Sequence, residues 1–93
     1  MKSIYTSPLG LGIYKSYIAE DEISYTITGY PKKSSTGLDF DSAYDFEEYI
    51  QKKVRCEGID FDSEMCQFFA YAKTPARAKK FVEDLEKWFK SIL

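Results

Sequence analysis

Histidine is absent from the 93 residues, and with it the commonest general base at neutral pH and the commonest zinc ligand. Cysteine occurs only at Cys56 and Cys66, too few for a disulfide framework; free thiols in a reducing cytosol are expected. No apolar run approaches the ~20 residues that cross a bilayer. The start, Met-Lys-Ser-Ile-Tyr-Thr-Ser-Pro, lacks the apolar core of a secretory signal, so a cytoplasmic location without a membrane partner is expected. There is no phosphate-binding glycine loop and no nucleophile elbow. Catalytic residues, cofactors and a bound metal are therefore not expected, and the chain reads as non-enzymatic.

What is present is the composition of one folded domain, residues 1–93. It is 44% hydrophobic and 17% aromatic, with eight Tyr and seven Phe. Such content argues against disorder and lets a small core reach useful burial. The net charge of −2 gives no global reason for direct nucleic-acid binding. The charge is unevenly spread: residues 1–35 balance at +1, residues 36–64 at −6 and residues 65–93 at +3. The middle is the acidic part.

The strongest local signal is at the end. Ala78, Phe81, Val82, Leu85, Trp88, Phe89 and Ile92 recur at helical spacing, with Thr74 placed to cap and Pro75 suited to the first turn. Before them, residues 65–72 read as a strand from their brevity, aromatic density and Thr-Pro ending, although Met65, Phe68, Phe69 and Ala72 also fit helical spacing. Ser3–Thr6 and Ile13–Ile18 are candidate strands, and in Ile23–Thr28 the residues Ile23, Tyr25 and Ile27 alternate with Ser24, Thr26 and Thr28. Ala19–Glu22 is a polar hairpin connection. Residues 29–37 read as a loop and the segment expected to be most mobile. A first helix enters at Asp41 or Ser42, buries Ala43, Phe46, Tyr49, Ile50 and Val54, and is expected to stop at Gly58. The expected fold is α+β, in the order β-β-β-α-β-α: an antiparallel sheet of three to four strands with two helices on one face.

Four features could carry function. Gly37-Leu38-Asp39-Phe40-Asp41-Ser42 returns as Gly58-Ile59-Asp60-Phe61-Asp62-Ser63. Two Asp-x-Asp pairs could ligate a hard cation, but neither copy continues as a calcium loop, and capping explains both more simply. Second, Asp41, Asp45 and Glu48 lie at i, i+4 and i+7, with Asp39 and Glu47 beside them; successive carboxylates ~6 Å apart approach the spacing of phosphates on a strand. Ordinary acidic enrichment of a helix entry is the plainer explanation. Third, Lys73, Arg77, Lys79 and Lys80 crowd the positive end of the last helix, an anion-site pattern; a solvated face paired through Glu83–Lys87, Glu86–Lys90, Lys79–Glu83 and Lys80–Asp84 is the alternative. Fourth, Tyr5, Tyr14, Tyr17, Tyr25, Tyr30, Phe69 and Tyr71 could offer a base-stacking platform, although the strand order is not that of the common RNA-recognition module.

In the stretch Asp39-Phe40-Asp41-Ser42-Ala43-Tyr44-Asp45-Phe46-Glu47-Glu48-Tyr49-Ile50 the chain resembles, in style, small inhibitor proteins of phages and mobile elements, including anti-CRISPR proteins. The stretch that carries the resemblance is 12 of the 93 residues and brings no diagnostic motif. It implies an inhibitor that blocks a host nucleic-acid-handling complex through an acidic surface, acting in the host cytoplasm if phage-encoded. Two other readings stand beside it: a small anion- or nucleotide-binding protein using Lys73, Arg77, Lys79 and Lys80, and a structural or homo-oligomerising module.

Overall fold

The alternating residues of the N-terminal third pair as their pattern demands. In the computed structural model, which describes residues 3–19 and 22–93, β2 (Leu11–Ala19) and β3 (Glu22–Gly29) form an antiparallel hairpin that sets Ile13 opposite Ile27. The expected Ala19–Glu22 connection falls partly on residues 20 and 21, outside the described residues. A short β1 (Tyr5–Thr6) pairs with β2, and β5 (Phe68–Ala72) lies against β3. The two-residue β4 (Asp60–Phe61) closes the far edge, giving the antiparallel order β1-β2-β3-β5-β4. The fold is α+β, as the sequence indicates, with one more strand than expected.

One face of the sheet carries the helices. From α2 (Ala43–Gln51) come Ala43, Phe46 and Ile50; from α3 (Pro75–Ile92) come Ala78, Phe81, Val82, Leu85 and Phe89, all buried. They pack on Leu11, Ile13, Ile27, Phe68, Ala70 and Ala72. Phe46 is the hub: its ring lies 5.1 Å from those of Phe40 and Phe68 and stacks 6.1 Å from Phe89. Edge-on and stacked pairs of this kind each add about 0.5–1.5 kcal/mol beyond area burial. Thr74 caps α3 by accepting the Arg77 N–H, and Ser42 caps α2 by accepting that of Asp45. Among the described residues no helix is long and apolar enough to cross a membrane.

The structure departs from the local sequence signals at several points. Residues 29–37 are not simply loop: α1 (Lys33–Thr36) is one helical turn, closed by Gly37 at φ 74°. Lys32 N–H donates to Leu9 O, and the Ser35 hydroxyl to Pro8 O, contacts that no polar run announces. Helix α2 stops at Gln51 rather than running on toward Gly58. Gly58 instead turns the chain into β4, with φ 77° and the following N–H bonded to Cys56 O. Strand β5 begins three residues later than expected, because Glu64 N–H bonds Gln67 O in a turn that leaves Met65 and Cys66 exposed. Ile23 faces Tyr17 at the outer end of the hairpin, and they remain 44% and 70% exposed. The hairpin thus extends past the helices, while Ser24 and Thr26 on the opposite face are buried. Thr26 there shares a hydrogen bond with Ser16.

An acidic edge as candidate functional site

The two copies of the repeated motif fold alike and then diverge. Each begins with a left-handed glycine, Gly37 or Gly58, the conformation an L side chain resists by roughly 1–2 kcal/mol. In each, the alternate residues Leu38 and Phe40, or Ile59 and Phe61, turn to the core, so the aspartates point outward. Each ends with a serine that accepts a backbone N–H: Ser42 from Asp45, Ser63 from Phe69. Satisfying backbone amides, as a helix cap at Ser42 and toward β5 at Ser63, therefore accounts for the serines but not for the aspartates, which remain exposed. Among the described residues no three His, Cys, Asp or Glu side chains converge as metal ligands.

Tertiary contacts bring the two copies together. Ala43 N–H donates to Met65 O at 2.8 Å, and Glu47 Oε1 accepts the Ser63 N–H at 3.3 Å. These bonds pin the start of α2 against the turn after β4, so Asp62 and Glu64 lie alongside the α2 acids. Of the five residues expected to form the acidic face, Asp39 pairs with Lys33 at 2.8 Å and Glu48 with Lys52 at 3.5 Å, and Glu47 is used as above. Asp41 and Asp45 make no ion pair among the described residues, and neither do Asp60, Asp62 and Glu64. In the sequence Asp60 and Asp62 stand out only as the second Asp-x-Asp pair of the repeat, not as part of the acidic face, and nothing singles out Glu64.

At the β4 side of this edge a cleft of about 690 Å³ opens between Glu22, Asp60 and Asp62, with Tyr71 as a wall and Lys73 as the one cation among the described residues that line it. Asp60 stands opposite Tyr71 in register. Burial, and then the charges of Asp62 and Glu64, push the Tyr71 hydroxyl above its ordinary pKa.

The cations at the head of α3 meet in pairs rather than at one point: Lys73 and Arg77 border one hollow, Arg77 and Lys80 another. Arg77 donates to Glu57 O at 2.7 Å and to Arg55 O at 3.1 Å, bolting the helix to the preceding loop. Lys80 pairs with Asp84 at 2.5 Å, Lys79 lies over the Tyr5 ring, and Lys73 borders the acidic cleft. Of the four helical pairs expected, only Lys80–Asp84 is made; Glu86 turns instead to the hydroxyls of Tyr5 and Ser7, each at 2.7 Å. The aromatic platform is likewise divided. Tyr5 and Tyr25 pack beside the core, Tyr30 donates to Phe40 O, and Tyr17 projects with the hairpin. Tyr14, Phe69 and Tyr71 share the uncovered sheet face. No protein family, curated protein or solved structure matches this chain.

Proposed function

We propose that this protein is a non-enzymatic, protein-binding inhibitor that sets its acidic edge against the basic surface of a nucleic-acid-handling partner. The reading agrees with the stylistic resemblance to small phage-encoded inhibitors of the anti-CRISPR kind. One observation carries it: two acidic segments distant in sequence meet at one edge, where Asp41, Asp45, Asp60, Asp62 and Glu64 make no ion pair among the described residues. Like charges left side by side oppose folding, and a partner's lysines and arginines would relieve that repulsion. Complementary charge also speeds encounter and selects the partner, with the effect weakening as salt rises.

The test is affinity capture from host lysate at low and high salt, with Asp41→Lys/Asp45→Lys and Asp60→Lys/Asp62→Lys beside the wild type. A basic nucleic-acid-binding protein, retained at low salt, displaced by its own nucleic acid and lost by at least tenfold with each charge-reversed pair, is the expected result. Retention that neither reversal alters would refute the acidic edge as the docking surface. The anion-site alternative at Lys73, Arg77, Lys79 and Lys80 is the weaker reading, since Arg77 is held by the carbonyls of Glu57 and Arg55, Lys80 by Asp84, and Lys79 lies over the Tyr5 ring.

A further inference from the structure

Two of the basic residues near the head of α3, Arg77 and Lys80, begin a longer basic strip along its side. Two hollows, of about 400 and 440 Å³, share Arg55 and Asp84 and so run together between α3 and the segment after α2. Along α3, Arg77, Lys80, Asp84, Lys87 and Ser91 mark this groove at intervals of three and four residues, a strip about 21 Å long at 1.5 Å per residue. Lys53 and Arg55 face it from the other bank, so five cations stand against the two carboxylates Glu57 and Asp84. Lys53 and Lys87 have no ion pair among the described residues. The chain's one tryptophan, Trp88, is in the wall. Its ring is oriented by an N–H bond to the Tyr49 hydroxyl at 3.1 Å, with the Lys53 ammonium 5.4 Å from its centroid.

We infer that this groove binds a phosphodiester chain, that is, single-stranded nucleic acid. A single phosphate would need donors that converge on one point, whereas these cations are strung over about 15 Å from Arg77 to Lys87, the span of two to three successive phosphates. Cations that follow a backbone beside an aromatic ring on which a base can stack are the recurrent parts of single-strand binding. An acidic peptide would satisfy the charges but leave the ring unused. The overall charge of −2 does not oppose this, because the groove itself carries five cations against two carboxylates, and Asp41 and Asp45 lie at the start of α2 whereas the groove begins past its end, roughly 10–13 Å away along the helix axis. The groove uses none of the residues of the acidic edge, so the two readings succeed or fail separately.

The experiment titrates the full chain with a ten-residue oligothymidylate and, in a second arm, an oligouridylate, following Trp88 fluorescence at 50 and 200 mM salt. Binding in either arm that quenches Trp88 and weakens roughly 15-fold between those salts is expected, since about three phosphates neutralised give a slope near −2. A stronger response in one arm identifies the strand as DNA or RNA. Lys53→Glu with Lys87→Glu lowers affinity by at least tenfold, Lys53→Gln with Lys87→Gln by less, and Asp41→Lys with Asp45→Lys leaves the quench in place. The inference is overturned by no binding in either arm at 50 mM salt, by binding indifferent to both Lys53/Lys87 pairs, or by inorganic phosphate producing the same quench.

Discussion

Glu86 is the carboxylate whose removal has the most calculable consequence. A single oxygen, Oε2, accepts the hydroxyls of Tyr5 and Ser7 at 2.7 Å each, and Ser7 is only 3% exposed. These bonds tie the β1 end of the sheet to α3 across some eighty residues of chain. A hydrogen bond to a charged group contributes about 1.5–3 kcal/mol. Because water reaches part of this cluster, the low end applies, and Glu86→Ala should cost about 2–3 kcal/mol in all. At roughly 4–8 °C per kcal/mol for a domain of this size, the melting temperature should fall by about 10–20 °C. Tyr5→Phe should cost about 1–1.5 kcal/mol, yet almost nothing once Glu86 is already alanine, so the double-mutant cycle should show coupling. The hydrogen bond to Glu86, then burial, then the charges of Glu86 and Glu83 push the Tyr5 hydroxyl up from 10.0 to about 12. A pKa raised on folding gives stability that is complete below the unfolded value near 10 and is lost as pH climbs through 12. Thermal melts between pH 8 and 12 should therefore fall more steeply for wild type than for Tyr5→Phe. A cost for Glu86→Ala below 0.5 kcal/mol, or a fully additive cycle, would refute the reasoning.

Two further outcomes follow from packing and burial. Gly29 has φ 147°, and a Cβ built there would lie 2.1 Å from the carbonyl oxygen of Gly10. Since backbone rather than a flexible side chain blocks it, Gly29→Ala should destabilise by more than about 3 kcal/mol in urea melts, and a near-native midpoint would show that the β2–β3 pairing can yield there. Cys66 is exposed, whereas Cys56 is partly buried, donates to Val54 O, and has its thiol pushed up by burial against a smaller lowering by Arg77. At pH 8 a thiol reagent should label Cys66 several-fold faster, with the Cys56 rate still climbing above pH 9; equal rates would contradict this environment.

What the sequence determined by itself was whatever short-range chemistry dictates. Thr74-Pro75 and the apolar stripe from Ala78 onward specify α3, because caps and a 3.6-residue period act within a few turns. The alternation of residues 23–28 specifies β3 and its hairpin pairing for the same reason, and Ser42 announces the start of α2. What only the tertiary structure decided were the choices among distant partners. Residues 33–36 become helical through bonds to Leu9 and Pro8, and Asp60–Phe61 becomes a strand because β5 presents a free edge. Glu86 has Lys90 one turn away, yet the fold delivers the hydroxyl of Tyr5 from β1 and that of the buried Ser7 just after it. Arg77 is drawn to carbonyls of a loop twenty residues earlier. The acidic edge shows the same division. Its aspartates were legible as a repeat, but their meeting depends on α2 docking against the β4–β5 turn. The direction of a long charged side chain, and the company an exposed carboxylate keeps, depend on what packing brings within 3 Å, which sequence separation does not encode.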